Sequence, residues 1–299
     1  LTDADKNVAI GMGALTTDTK GSQSVAVGHE ALANQNFTSA IDCKNTAVGT
    51  FAGNDITTGI NNTFVGALCG DALTDADFNV ALGAHALTLD TLGSKSTALG
   101  YYALGNQNFT SATDSLNVAV GYQAGIAVTT GANNTLIGGL AGDALTTGHD
   151  NVALGVHALT AEDTGSETVA IGRSALATQN AGTVNAYNVA VGSAAGRIVS
   201  TGVQNTFVGG LAGDGTDDGS QNTAVGYLAL SANAADTNTA IGAFALVACT
   251  GGDNTAVGLI AGGSLTSGSN NLFLGHDAGV TGSPGGNHTT DSHRIVLGD

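Results

Sequence analysis

This sequence predicts an all-β solenoid of about sixteen coils, and three observations predict it. A short phrase, Asn/Ser/Thr–Val/Thr–Ala–aliphatic–Gly, returns along the whole chain. Its glycines are 17 residues apart in ten of sixteen intervals. The composition, with 46 Gly, one Pro, no Trp and 10% charged residues, suits short strands joined by tight turns.

The glycines of the phrase are Gly11, Gly28, Gly49, Gly66, Gly83, Gly100, Gly121, Gly138, Gly155, Gly172, Gly192, Gly209, Gly226, Gly242, Gly258 and Gly275, with a variant ending at Gly298. The phrase alternates and is β-branched, which is strand patterning and not the 3.6-residue period of a helix. One repeat of about 17 residues is therefore one coil of a stack. We number positions from the glycine, which is position 0. Position −1 is always Val, Ile or Leu, and +3 is Ala everywhere except Cys69. Position −4 is nearly always Asn, a residue that tolerates left-handed turns and whose amide can bond from coil to coil. The glycine marks a bend that a Cβ would obstruct. Each coil is expected to run as a short strand, a glycine corner, a second short strand and a return turn.

A longer rhythm lies over the coils. Position +4 reads Leu15, Leu32, Gly53, Gly70, then Leu87, Leu104, Gly125, Gly142, and the Leu-Leu-Gly-Gly order continues to Gly279. Position −2 is Ala except at Phe64, Leu136, Phe207 and Phe273, where +4 has lost its side chain. Large residues appear where space has been vacated. The true unit is four coils, about 72 residues, and residues 1–299 read as one continuous array of it.

Strand parity puts −3 and −1 on one side and −2 on the other, and both sides are apolar. Strands apolar on both faces are covered on both faces. We therefore expect several parallel copies, three of them, packed along the Ala/Phe stripe through Phe64, Leu136, Phe207 and Phe273.

The phrases "SVAVG" at 24–28, "NVAVG" at 117–121 and "TVAIG" at 168–172 resemble the head repeats of trimeric autotransporter adhesins. "NVAVGYQAGIAVTTGANNTLIGGLAG" at 117–142 and the closing "RIVLGD" are similar to phage tail-fibre-type repeats. That resemblance covers nearly the whole chain. It implies a left-handed parallel β-roll, assembled as a homotrimer, outside a cell or on a virion surface. The chain departs from the adhesin pattern in its longer repeat and in showing no neck, stalk or anchor. The chain reads as a tail-fibre-like segment whose ligand would be a cell-surface glycan or a host surface protein; the alternatives are an autotransporter adhesin head that binds host matrix and a purely structural extracellular filament.

Charge and composition exclude several other classes. Seven Lys+Arg against 24 Asp+Glu give a net charge of −17, the wrong sign for nucleic acid. No run of 18 apolar residues is present to insert into a membrane. Cys43, Cys69 and Cys249 have no metal or disulfide spacing, and Cys69 reads as a small stand-in for Ala. The absence of an initiating Met leads us to expect a longer parent chain. Acyltransferases of left-handed β-helix type carry an aliphatic residue every sixth position, a spacing this chain lacks. We expect no enzyme, no catalytic residue, no cofactor and no metal. His85 and His157, at +2 of equivalent coils, are the residues that would otherwise form a metal set across chains. Asp3, Asp5 and Asn7, then Asp75, Asp77 and Asn79, begin like calcium loops but lack the Gly and distal Glu; "DGTDDG" at 214–219 is likewise incomplete.

The chain leaves its rhythm at 33–44, 105–116, 177–187 and 280–293. Loops held on a rigid scaffold carry function. The first two contain Asn34, Gln35, Asn36 and Phe37, then Asn106, Gln107, Asn108 and Phe109, amides with one aromatic, which suits carbohydrate. The competing reading folds Phe37 and Phe109 back as plugs, and their exposure decides. Tyr101, Tyr102, Tyr122 and Tyr227 cluster at +1 and +2, as rim aromatics or as surfaces for sugar.

Overall fold

A computed structural model describes residues 5–283 and 285–298. The chain divides into two compact units, Leu1–Asp150 and Asn151–Asp299. In the first unit the strands are Val8–Ile10, Val25–Val27, Thr46–Val48, Thr63–Val65, Val80–Leu82, Thr97–Leu99, Val118–Val120 and Thr135–Ile137. Each pairs in parallel with the next, and Ala26 falls opposite Ala47 as Ala47 does opposite Phe64. The second unit repeats the scheme from Val152–Leu154 to Ile295–Leu297, again parallel and in register. Each unit is a parallel β-solenoid, and each strand is the repeated phrase itself.

The second arm of the coil is not the strand expected. Positions +2 and +4 both adopt left-handed backbone, as at Glu30 (φ 53°) and Leu32 (φ 49°), so the arm is a succession of turns. It still bonds from coil to coil: Glu30 N–H donates to Met12 O at 2.8 Å and Leu32 N–H to Ala52 O at 3.1 Å. A left-handed non-glycine residue costs about 1–2 kcal/mol. Here the conformation aims the +4 side chain into the coil, where Leu32, Leu87, Leu104 and Leu159 are fully enclosed. The corner glycine is required by proximity. A Cβ on Gly28 would stand 2.2 Å from Gly49 O, in the coil stacked upon it.

Asn at −4 works differently from the expectation as well. The left-handed residue is its predecessor, Asn61 or Asn133, while Asn62 and Asn134 are not left-handed. The −4 amide instead forms a buried ladder. Asn62 Nδ2 donates to Ala76 O at 2.7 Å, and its Oδ1 accepts from Asn79 N–H at 2.9 Å. Asn45, Asn79, Asn117, Asn188 and Asn205 repeat both contacts. Backbone groups that the turns leave unpaired inside the coil are satisfied this way. The ladder slips where the interval shortens to 16 residues. There Asn238 Nδ2 keeps its ladder acceptor, Gly251 O at 2.9 Å, and also reaches Ala235 O at 3.1 Å, while buried Asn222 Nδ2 has no partner among the described residues.

The interior is built from −4, −2, +3, +4 and +7. Volume compensation between −2 and +4 is direct. A Cβ on Gly53 would meet Phe64 Cδ2 at 2.7 Å, and one on Gly213 would meet Phe207 Cδ1 at 2.5 Å. Leu136 fills the space beside Gly125 and Gly142 in the same manner. Cys69 takes the Ala position, wholly buried, its thiol donating to Ala81 O at 3.1 Å.

Candidate functional site

The amide-rich turns were the leading candidate, and the structure splits them by residue. Asn34, Asn36, Asn106 and Asn108 are exposed, whereas Gln35 and Gln107 are fully buried and Phe37 and Phe109 are 6% exposed. Burial of both rings removes the aromatic surface that carbohydrate recognition at these turns requires. The turns also stay within the stack, since Asn36 N–H donates to Thr57 O and Asn108 N–H to Thr129 O, each at 2.9 Å. The excursions rejoin the stack through short parallel pairings, Gly21–Ser22 with Ile41–Asp42 and Gly93–Ser94 with Thr113–Asp114.

What the glutamines serve is a buried polar network. Gln107 Nε2 donates to Asp90 Oδ2 at 2.5 Å, and its Oε1 accepts from Asn117 Nδ2 at 2.8 Å. Asp90 Oδ1 accepts the N–H groups of Gly93 and Phe109, both at 3.1 Å. Asp18, Gln35 and Asn45 reproduce the arrangement. Glu162, Gln179 and Asn188 do so again with a longer acid, and Ala181 stands where the others have Phe. Position −4 is Ser24, Ser96 or Thr168 in these coils, and its hydroxyl bonds the same glutamine. Sequence reasoning missed the acids. Their signal was available at +7, where acid and Gln each recur every 72 residues, followed by Ile or Val and then by Leu73, Leu145 or Thr216.

The residues expected at the interface between chains are also placed differently. Phe64, Leu136, Phe207 and Phe273 are fully buried inside their own coils and have no surface to offer a partner. The parity argument held, but the enclosed side is −2. The outward side is −3 and −1, where Val48, Val80, Leu82, Leu154, Val208, Ile241, Val257 and Leu274 are exposed. Each unit thus carries an aliphatic row at −1, beside a mixed Val/Thr row at −3, on its solvent-facing sheet surface.

The remaining candidates serve the stack. Asp77 Oδ1 accepts from Ile60 N–H at 2.7 Å, Asp75 from Thr58 Oγ1 at 2.5 Å, and Asn79 belongs to the amide ladder. Burial pushes the Asp77 carboxyl above its usual range. Asp5 N–H donates to Ser22 Oγ, and Asn7 bonds Gly21 and Ser24; Asp3 lies outside the described residues. In the 214–219 turn, Asp217 accepts from Ser200 and Asp214 faces Arg197 at 4.0 Å. His85 stacks on Tyr102 at 4.5 Å, and His157 is exposed. Among the described residues no group of three or more His, Cys, Asp or Glu is placed to hold a metal ion. None of their helices is long and apolar enough to cross a membrane.

No protein-family model matches this chain, and no curated protein matches it. It is a parallel β-solenoid. The architecture is of the kind that fibrous and repeat proteins use, and fold alone does not assign a ligand.

Proposed function

We propose that the chain is a non-enzymatic segment of an extracellular trimeric fibre, whose copies pack in parallel along the outward sheet face and display surfaces for attachment. The observation that carries this is the aliphatic row at −1, flanked by the Val/Thr row at −3, on the outward face. Val208 is 37% exposed and Ile241 40%, although every interior position is filled. Long apolar stripes on a solvent-facing sheet mark a surface that another chain covers. The rows repeat at one coil spacing, about 4.8 Å, and a second solenoid with the same pitch meets them tooth for tooth. Three is the number implied by the resemblance to adhesin heads and tail fibres. The strong negative charge keeps such an assembly soluble.

Sedimentation equilibrium tests the reading. The unmodified chain is expected at three times its 29.1 kDa mass. Val208→Glu with Ile241→Glu is expected to give single chains that keep the circular dichroism spectrum of the folded solenoid and melt at a lower temperature, having lost the partners' stabilisation. A well-behaved monomer from the unmodified chain overturns the proposal.

A further inference from the structure

Three of the five tyrosines stand together on one flank of the first unit. Tyr101 meets Tyr102 edge to face at 4.7 Å and lies nearly parallel to Tyr122 at 5.8 Å, while the other side of the group is closed by His85, stacked on Tyr102. The four rings come from consecutive coils at +1 and +2, so the solenoid's own spacing sets their contacts. Two glycines make room for the group. A Cβ on Gly105 would stand 2.8 Å from Tyr102 Cδ1, so Gly105 lets that ring settle on the chain. In the coil after Tyr122, position +1 is Gly139, where a Cβ would meet nothing within 4 Å.

The rings are also chemically unspent. Tyr101 and Tyr122 are 46% and 55% exposed. Their hydroxyls, that of Tyr102 and the amide of Gln123 make no hydrogen bond among the described residues, whereas Tyr187 Oη accepts from Asn185 Nδ2 at 3.2 Å. Asp71, whose Oδ1 accepts from Thr88 Oγ1 at 2.7 Å, adds a carboxylate from the coil before His85.

We infer that the shelf formed by Tyr101, Tyr102, Tyr122 and His85, open over Gly139, is a binding site for a neutral saccharide. An aromatic surface stacks against the C–H face of a sugar ring while phenol, amide and carboxylate groups at its rim bond the hydroxyls. The net charge of −17 disfavours anionic ligands. A proline-rich peptide needs grooves between aromatic rings, and these rings pack against one another and leave none. The inference deepens the proposed display role by naming one displayed surface, but it needs only a single chain, so its failure leaves self-association standing.

The chain contains no Trp, so its emission comes from five tyrosines, three of them in the shelf and Tyr187 and Tyr227 as background. The test is titration with neutral hexasaccharides of glucose, galactose and N-acetylglucosamine, with decaproline alongside. A saturable emission change is expected with at least one sugar. Tyr122→Ala is expected to weaken it roughly tenfold, and Gly139→Leu, which fills the notch and removes no ring, by a similar factor. Tyr227→Ala is expected to leave it unchanged. Sedimentation in the same buffer shows whether each variant keeps its assembly, and far-UV circular dichroism whether it keeps its fold. No saturable response to any of the three sugars overturns the site. So does a response that survives both Tyr122→Ala and Gly139→Leu, or saturation by decaproline alone.

Discussion

A methyl group placed on Gly70 would stand 2.6 Å from Cε1 of Phe64. The same ring blocks Gly53 in the coil before, at 2.7 Å from Cδ2. One large side chain therefore occupies the volume that two +4 leucines fill elsewhere. Gly70→Ala overpacks this site and places a Cβ at φ 58°, so a loss of about 1–3 kcal/mol is expected. Phe64→Ala leaves a cavity and is expected to cost about 3–5 kcal/mol. The two should not add. With Phe64 already removed, Gly70→Ala is expected to cost less than it does alone, a coupling that urea denaturation of the four proteins in a double-mutant cycle reads out. Strict additivity would show that ring and glycine do not share this space.

The buried acid–amide networks set a second expectation. Gln107 bridges Asp90 and Asn117 with no exposure at all. Gln107→Leu keeps the bulk but strands Asp90 Oδ2 and one of the two Asn117 Nδ2 hydrogens, the other still donating to Gly131 O. The penalty for stranding buried polar groups is about 1–3 kcal/mol each and larger for a charged one. A fall of at least about 2 kcal/mol in unfolding free energy is expected. Gln221→Leu, in an exposed pair with Gln204, is expected to change stability by under about 0.5 kcal/mol. Equal effects at the two sites would mean the network contributes nothing.

The period, the four-coil rhythm and the exchange of volume between −2 and +4 were legible because each rests on residue size, which a sequence states outright. Which face of the strand lies inside was harder to read. When −3, −2 and −1 are all apolar, alternation distinguishes two faces without saying which is enclosed. The clue was present in Phe64 and Gly70: two positions can trade volume only if they share one space, so −2 had to face the same interior as +4. The left-handed run at +2 and +4 was hidden because Leu occupies +4 half the time, and propensity argues against Leu there. Asp18, Asp90 and Glu162 were not singled out, although their 72-residue recurrence with Gln35, Gln107 and Gln179 sets them apart.

Placing −2 inside reverses what a charge there should do. Phe207→Asp puts a carboxylate among Gly196, Gly213 and Leu176 in a sealed interior. Burying an unpaired charge costs far more than a surface substitution. The variant is expected to lower the melting temperature of its own chain by 10 °C or more, on the order of several kcal/mol. If it dissociates into single chains that keep the folded circular dichroism spectrum at low temperature, Phe207 lies between chains after all. Thermal melting followed by circular dichroism, alongside sedimentation, separates the outcomes.

The last expectation follows from two thiols. Burial pushes Cys69 from 9.0 up to about 12 and Cys249 from 9.0 up to about 11. In the unfolded chain both release their protons near pH 9, while the folded chain holds them. Between pH 9 and the folded values the unfolded state therefore binds fewer protons than the native state. Stability linked to these groups is fully present below pH 9 and declines as pH rises through 11 and 12. Cys69→Ala restores the residue found at +3 in every other coil, and Cys249→Val supplies the residue found at +7 in Val128 and Val199. The doubly substituted chain is expected to lose less stability between pH 9 and 11.5 than the parent, measured as the midpoint of urea unfolding at each pH. Both thiols should also react slowly with thiol reagents at pH 8 until the chain is unfolded, because the thiolate is the reactive form. If both proteins lose stability in parallel across that range, burial of the thiols does not contribute to alkaline unfolding.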